Sequence, residues 1–199
     1  MALGGLAQTL SSHADFLLGK PEGIRADLSG ADISGLDLNS VNLQKIIGAA
    51  ANFNRSILSN ADISNADLFR ADFQFCNLSR ANLERSDLKG ANRHGAKLTD
   101  ANLMDADLRA GKFLENESTD PRTDLTFARL DGAKLNNANL SEAKMGSMSA
   151  KGANFSNVEM IEADLQEANL ADADLSDADF SGANLAGANL SGANHANAI

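Results

Sequence analysis

The chain has little of what many functional sites are built from. It contains one cysteine, Cys76, and neither tryptophan nor tyrosine, so an internal disulfide is excluded. Cys76 occupies a position that in neighbouring stretches holds Ala, which favours a buried structural thiol. The N-terminal residues lack a basic start and a continuous apolar stretch, and they predict neither an export signal nor a membrane span. We therefore expect a cytoplasmic protein that does not bind membranes.

Basic residues are missing from one part of the chain. All 17 Lys and Arg lie between Lys20 and Lys151, whereas residues 152–199 hold eight of the 27 acidic residues and no base. The net charge of −10 is therefore mainly a property of the C-terminal segment. Because this charge repels nucleic acid, we expect no direct nucleic-acid binding.

The residues that are present form a five-residue repeat. Each unit has a small residue, usually Ala, then Asp or Asn, then a large apolar centre and two variable positions, as in residues 26–30 and 61–65. Centres recur from Leu28 to Phe113 and again from Leu125 to His195, which gives 33 units. Of these centres, 29 are Leu, Ile, Phe or Met, and 24 follow Asp or Asn. Such self-similarity predicts a single repeat domain.

The period of the repeat predicts its shape. Five residues match neither the 3.6-residue period of a helix nor the two-residue period of a strand, so each unit has to turn a corner. Four units would close a square coil of 20 residues, and eight such coils stacked about 4.8 Å apart would make a rod of roughly 38 Å. Asp and Asn before each centre favour turns by bonding to nearby backbone. Part of the acidity is therefore architectural.

The repeat resembles the A(D/N)LXX pattern of the pentapeptide repeat family over about Ala26 to Asn194. The resemblance implies an all-β fold, a right-handed quadrilateral parallel β-helix. Hexapeptide helices need a six-residue period and leucine-rich repeats need 20 to 29 residues, and neither is present. Some members of the family are end-to-end homodimers, and we expect a homodimer through the C-terminal coil. The family's quinolone-resistance branch resembles duplex DNA and occupies DNA gyrase.

Four segments follow from the pattern. Residues 1–25 are a capping helix, near Gln8 to Leu18, and a linker; residues 26–115 are the first repeat run. Residues 116–122 form a polar loop or bulge, either a tolerated surface insertion or a recognition loop, and residues 123–199 are the second run. Arg93 stands at a centre, where an unpaired charge cannot remain buried, so we expect a local distortion there.

The sequence offers no site for chemistry. Catalysis requires unlike groups that converge, whereas stacked repeats spread similar groups over flat sides. The three histidines, His13, His94 and His195, are far apart in the chain. No phosphate-binding loop, cysteine cluster or metal-ligand spacing is recognisable. We expect no catalytic residue, no cofactor, no metal and no enzymatic activity.

Outward-pointing aromatic residues suggest a surface for a partner. Phe69 and Phe75 fall in the variable positions of one coil, and a 20-residue coil stacks basic residues and a histidine beside them. Aromatic and arginine side chains are frequent anchors in protein interfaces. Scattered exposed rings are also ordinary on protein surfaces, and this alternative stays open. The candidate partner patch comprises Arg55, Phe69, Phe75, Lys89, Arg93, His94, Arg109 and Leu114.

Two functions remain. The first is a non-enzymatic scaffold that binds an unidentified protein through one side of the rod. The second is a DNA-mimicking modulator of DNA gyrase, for which the candidate acidic face is Asp172, Asp174, Asp177 and Asp179. Duplex DNA carries one charge per roughly 1.7 Å, so 38 Å would need about 22 charges. A net charge of −10 therefore allows only local mimicry by the C-terminal coils.

Overall fold

The structure, a computed structural model, describes residues 3–111 and 120–199. It begins with one α-helix, α1 (Leu3–Leu17). The rest of the described chain has no continuous strand and consists of turns joined by isolated parallel β-bridges. No helix in the described residues is long and apolar enough to cross a membrane.

The bridges join successive coils at the predicted spacing. The residue before each centre pairs with the residue 20 positions later, as in Asp27 with Ile47 and Asp32 with Asn52, up to Asp174 with Asn194. Four units complete one coil, so the prediction of a 20-residue square coil is confirmed. We number the four sides from the first coil: side 1 starts at Leu28, side 2 at Ile33, side 3 at Leu38 and side 4 at Leu43.

Each unit turns because its Asp or Asn and its second variable position act together. The Asp27 carboxylate, for example, accepts a hydrogen bond from the Ser29 amide at 2.9 Å, and the same bond recurs at most Asp and Asn of this slot. The second variable position has a positive φ, such as 58° at Arg55 and 56° at Asn65. The predicted turn-forming role of the Asp and Asn slot is confirmed.

The core is a narrow apolar column along the axis. It consists of the Ala slot and the centres, and most of these side chains are fully buried. Phe53 and Phe73 stack with ring centroids 4.7 Å apart. Cys76 is buried with its Sγ 2.7 Å from the Phe53 carbonyl, and burial raises the pKa of its thiol to about 12. The thiol therefore stays protonated and packs like the small residues it replaces.

Helix α1 covers the first coil. It starts at Leu3, earlier than the predicted start near Gln8, and ends at Leu17. Leu6 is buried and Leu10 packs against the same core. His13 is fully buried and joins helix to coil: its Nδ1 accepts the Ala26 amide at 3.1 Å, and its Nε2 lies 2.9 Å from the Gln44 carbonyl. These two bonds require the neutral ring with the proton on Nε2.

The coil above Arg93 contains the insertion. Asn92 pairs with Asp124, so the register there is 32 residues instead of 20, and Leu125 occupies the position that the sequence register assigned to Phe113. The base of the insertion is closed where the Gly111 amide donates to the Pro121 carbonyl at 2.7 Å. Phe113 and most of the predicted loop 116–122 lie outside the described residues.

Arg93 contradicts the expectation that it would avoid burial. Its side chain points into the axis and is fully buried, and none of its three guanidinium nitrogens has a hydrogen-bond partner. Its guanidinium carbon lies 5.9 Å from the centroid of the Phe73 ring, and burial lowers its pKa to about 9. The side chain stays inside because its backbone keeps the ladder, with the Arg93 amide bonded to Asp124 at 2.7 Å. Arg93 therefore does not belong to a surface patch.

We predict that Arg93→Met stabilises the protein. An uncompensated buried charge costs on the order of 3–5 kcal/mol, and methionine fills the same space without the charge. Urea unfolding should show a gain in the free energy of unfolding of that order. The exposed Lys97, one unit later, provides the control: Lys97→Met should change it by less than about 0.5 kcal/mol. A destabilised Arg93→Met protein would contradict the prediction.

We predict that acid weakens the attachment of α1 through His13. Burial lowers the pKa of His13 in the folded chain below its ordinary value of 6.5, so the unfolded chain binds the proton first as the pH falls. The stabilisation by neutral His13 is complete above pH 6.5 and decreases as the pH falls from 6.5 towards the lowered folded-state pKa. The difference in unfolding free energy between the native protein and His13→Gln should therefore shrink between pH 8 and 5. A constant difference would refute this role.

Candidate partner-binding corner

Aromatic and basic side chains meet at the corner between sides 2 and 3. The Arg55 guanidinium lies 5.5 Å from the centroid of the Phe75 ring. The His94 ring packs edge-on between Phe75, at 5.6 Å, and Phe127, at 5.4 Å. These four residues, Arg55, Phe75, His94 and Phe127, form a continuous line along the rod axis, which we call the aromatic corner. Three of them were predicted, and Phe127 was not.

His94 is held in place by the coil above it. Its Nδ1 lies 2.7 Å from the Thr126 hydroxyl, and that hydroxyl also donates to the Asp124 carboxylate at 2.6 Å. Since the Thr126 proton is used on Asp124, Thr126 can only accept, and His94 carries its proton on Nδ1. Sequence register placed Leu114 above His94, whereas the structure places Thr126 there. Leu114 lies outside the described residues.

The two phenylalanines are placed against the local preference of the backbone. Phe75 and Phe127 both occupy the second variable position, with φ of 57°, where glycine, asparagine and aspartate are the favoured residues. Their side chains are also 48% and 61% exposed. Neither residue therefore gains the burial that would offset its strain, which is the pattern of residues kept for a binding role.

A glycine makes room for one of these rings. An added Cβ on Gly95 would lie 2.8 Å from the Phe75 ring, closer than real contacts allow. Phe75 thus lies flat over Gly95, which is the residue between it and Phe127 along the corner. The ring is held in a fixed position while half its surface stays open to solvent.

Beyond Phe127 the corner continues into a shallow acidic groove of about 220 Å³. Its floor includes Gly146, and Asp164 and Glu167 provide its carboxylates. Glu167 is exposed, with one oxygen 3.5 Å from the Ser147 hydroxyl. The complete lining is Thr126, Phe127, Gly146, Ser147, Asp164, Gln166 and Glu167. An aromatic ring beside two carboxylates suits a cationic side chain.

The other predicted patch residues lie at a different corner, between sides 1 and 2. Phe69 is half-buried there, and Lys89 and Arg109 follow it along the axis. Lys89 pairs with Asp87 at 2.9 Å, and Arg109 pairs with Asp107 at 2.7 Å. Burial alone would raise the pKa of Asp107, but hydrogen bonds from Arg109 bring it below its ordinary value. The predicted single patch is therefore two sets on neighbouring corners, and the second is largely neutralised.

The predicted acidic face is divided between sides. Asp174 lies on side 4 and Asp179 on side 1, and each accepts the backbone amide of its own turn. Hydrogen bonds from Ser176 and Ser181 lower the pKa values of these two carboxyls. Asp172 and Asp177 are exposed at the corners on either side of side 4. The four carboxylates surround the rod and do not line one face.

The last coil leaves apolar side chains open at its end. A cavity of about 360 Å³ lies there, and its lining is Leu175, Phe180, Leu185, Leu190, His195, Ala198 and Ile199. Leu190 is 41% exposed. This is the surface on which the expected end-to-end homodimer would form, and that association stays a prediction. Within the described residues, no group of three or more His, Cys, Asp or Glu could hold a metal ion.

A family model for pentapeptide repeats matches in eight copies, over residues 49–74, 66–105, 122–157 and 159–194, more than half of the chain. The chain belongs to the pentapeptide repeat family. Members of this family fold as right-handed quadrilateral β-helices, and the four-unit coils and parallel bridges agree with that fold. A comparison with curated proteins gave no match.

Solved pentapeptide repeat structures resemble the chain over most of its length. QnrB1, a plasmid-mediated fluoroquinolone resistance protein, is 15% identical with a TM-score of 0.53, covering 86% of this chain and 84% of its own. HetL, involved in heterocyst differentiation regulation in Nostoc sp. strain PCC 7120, is 26% identical over 98% and 94% of the two chains, with a TM-score of 0.37. Rfr23 from Cyanothece 51142 is 18% identical over 87% and 86%, with a TM-score of 0.25. The likeness to QnrB1 supports the fold alone.

We predict that Gly95→Ala disturbs the aromatic corner, whereas Gly152→Ala does not. Both glycines have positive φ, 64° and 63°, so each substitution adds the same backbone strain of about 1 kcal/mol. Gly152 has open space around an added Cβ, whereas Gly95 would displace the Phe75 ring from His94. Losing that ring contact should cost Gly95→Ala a further 0.5–1.5 kcal/mol or so. Urea unfolding gives both values, and NMR shifts of the His94 ring report the displacement. Equal costs and unchanged shifts would contradict the packing described.

Proposed function

We propose that the protein is a non-enzymatic scaffold that binds a protein partner through the aromatic corner. The observation that carries the proposal is the pair of strained, exposed phenylalanines in one line. Interfaces are anchored by a few aromatic and arginine residues, and Arg55, Phe75 and Phe127 provide both kinds. The stacked coils behind them supply a rigid base, because each corner residue is fixed by backbone bonds to the next coil.

The DNA-mimic alternative has less support. A duplex presents its phosphates in continuous rows, whereas the four predicted carboxylates are distributed over two sides and two corners. Asp174 and Asp179 also spend oxygens on their own turns. Apolar rings at a separate corner have no counterpart on a duplex backbone. The scaffold proposal therefore accounts for more of the surface.

We predict that Phe75→Asn and Phe127→Asn, alone or together, abolish capture of the cellular partner without destabilising the protein. Asparagine tolerates positive φ better than phenylalanine, so the variants should unfold at the same or a higher temperature. Binding should nevertheless be lost, because the aromatic anchors are gone. Affinity purification from the native cell followed by mass spectrometry measures the first effect, and thermal unfolding measures the second.

Arg80→Asn is the matched control. Arg80 occupies the same second variable position, with φ of 58°, but at the corner between sides 3 and 4. It should retain every partner that the native protein captures. If the two phenylalanine variants capture the same set of proteins as the native protein, the aromatic corner is not the binding surface.

A further inference from the structure

The side chains of the aromatic corner, and not its backbone, are available to a ligand. The Arg55 amide donates to Gln74, the Phe75 amide to His94 and the Phe127 amide to Gly146, at 2.9, 3.0 and 3.2 Å. Because the amides along this corner are used between coils, a ligand cannot add to it as a further strand. Recognition has to come from the rings, the charges and the groove.

The contact points along the corner are evenly spaced. Phe75, Phe127 and Glu167 occupy the same position of the unit on every second coil, with Gly95 and Ser147 between them. Coils are about 4.8 Å apart, so neighbouring contact points are about 9.6 Å apart. All three have φ of 56–57°, so their side chains leave the corner in the same direction.

This spacing distinguishes between the shapes that a bound segment could take. In a β-strand, residues three apart are about 10 Å apart but point to opposite sides. In an α-helix, residues seven apart are about 10.5 Å apart, so 15 residues of a thick cylinder would have to follow a single convex corner. In a polyproline II helix, every third side chain returns to the same side after about 9.3 Å. Only the last matches the spacing with one narrow line of contacts.

The charges fix what lies at the two ends of such a segment. Arg55 stands one coil before Phe75, and the groove with Asp164 and Glu167 begins just beyond Phe127. The nearby cations Lys144 and Arg122 are both engaged by Asp120, at 2.7 and 2.8 Å. A ligand would therefore carry an acidic residue near Arg55 and a basic residue in the groove.

We propose that the aromatic corner binds a polyproline II segment of a partner protein, with apolar residues at positions i and i+3 over Phe75 and Phe127. A basic residue at i+6 occupies the groove beside Glu167, and an acidic residue just outside position i pairs with Arg55. The inference rests on the proposed function and names the class of partner segment. It commits to a proline-rich, extended sequence of about eight residues.

The test uses labelled synthetic peptides and fluorescence anisotropy. The probe GDLPPLPPRG has the two leucines and the arginine in the predicted register, and its reversed sequence covers the other chain direction. One of the two should bind saturably to the native protein. The peptide GDLAALAARG keeps the same side chains without the polyproline II preference and should bind at least tenfold more weakly. Equal binding of the alanine peptide, or no saturable binding in either direction, would overturn the inference.

Variants locate the binding and test the charge assignment. Phe127→Asn and Glu167→Arg should each weaken binding at least tenfold, while Arg80→Asn should leave it unchanged. A probe with glutamate in place of its arginine should bind Glu167→Arg better than the native protein. Failure of this exchange would remove the assigned register. If the phenylalanine variants lose the cellular partner but no probe binds, the proposed function stands and the polyproline class is wrong.

Discussion

The structure depends on one constraint, the bonding of each coil to the next at a fixed spacing of 20 residues. Every corner residue has its amide tied to the coil above or below, so the chain can turn only where positive φ is tolerated. Asp or Asn stabilises the turn, a small residue leaves room for it, and the centre fills the axis. The variable positions are then the only places where the sequence is free to serve a partner.

Much of this could be predicted because the repeat is local. The coil, its 20-residue register and the turn role of Asp27 and its equivalents follow from a pattern visible in any five residues. Phe75 and Arg55 could be placed on one corner by adding 20. Phe127 is in the same slot of its own unit, but the insertion before it hid its alignment with Phe75. The register is restored by pairing between coils, which a count along the chain does not include.

Arg93 shows a different limit of sequence reasoning. An unpaired charge favours solvent, but turning this side chain outwards would require the backbone to leave the ladder. Its amide bond to Asp124 and the packing of the units around it hold the backbone in register, and the guanidinium stays inside with Phe73 as its nearest aromatic neighbour. Propensity predicted what the residue prefers, whereas the stack determines where it lies.

The insertion and Arg93 belong to the same coil, and together they divide the rod into two blocks. Repeat proteins are stabilised by contacts between neighbours, so a weak junction lowers the cooperativity between the parts on either side. Phe75 lies before this junction and Phe127 after it, joined only through the ring of His94. A ligand that spans both rings would act as a splint across the junction, and binding at the corner would make the two blocks unfold as one.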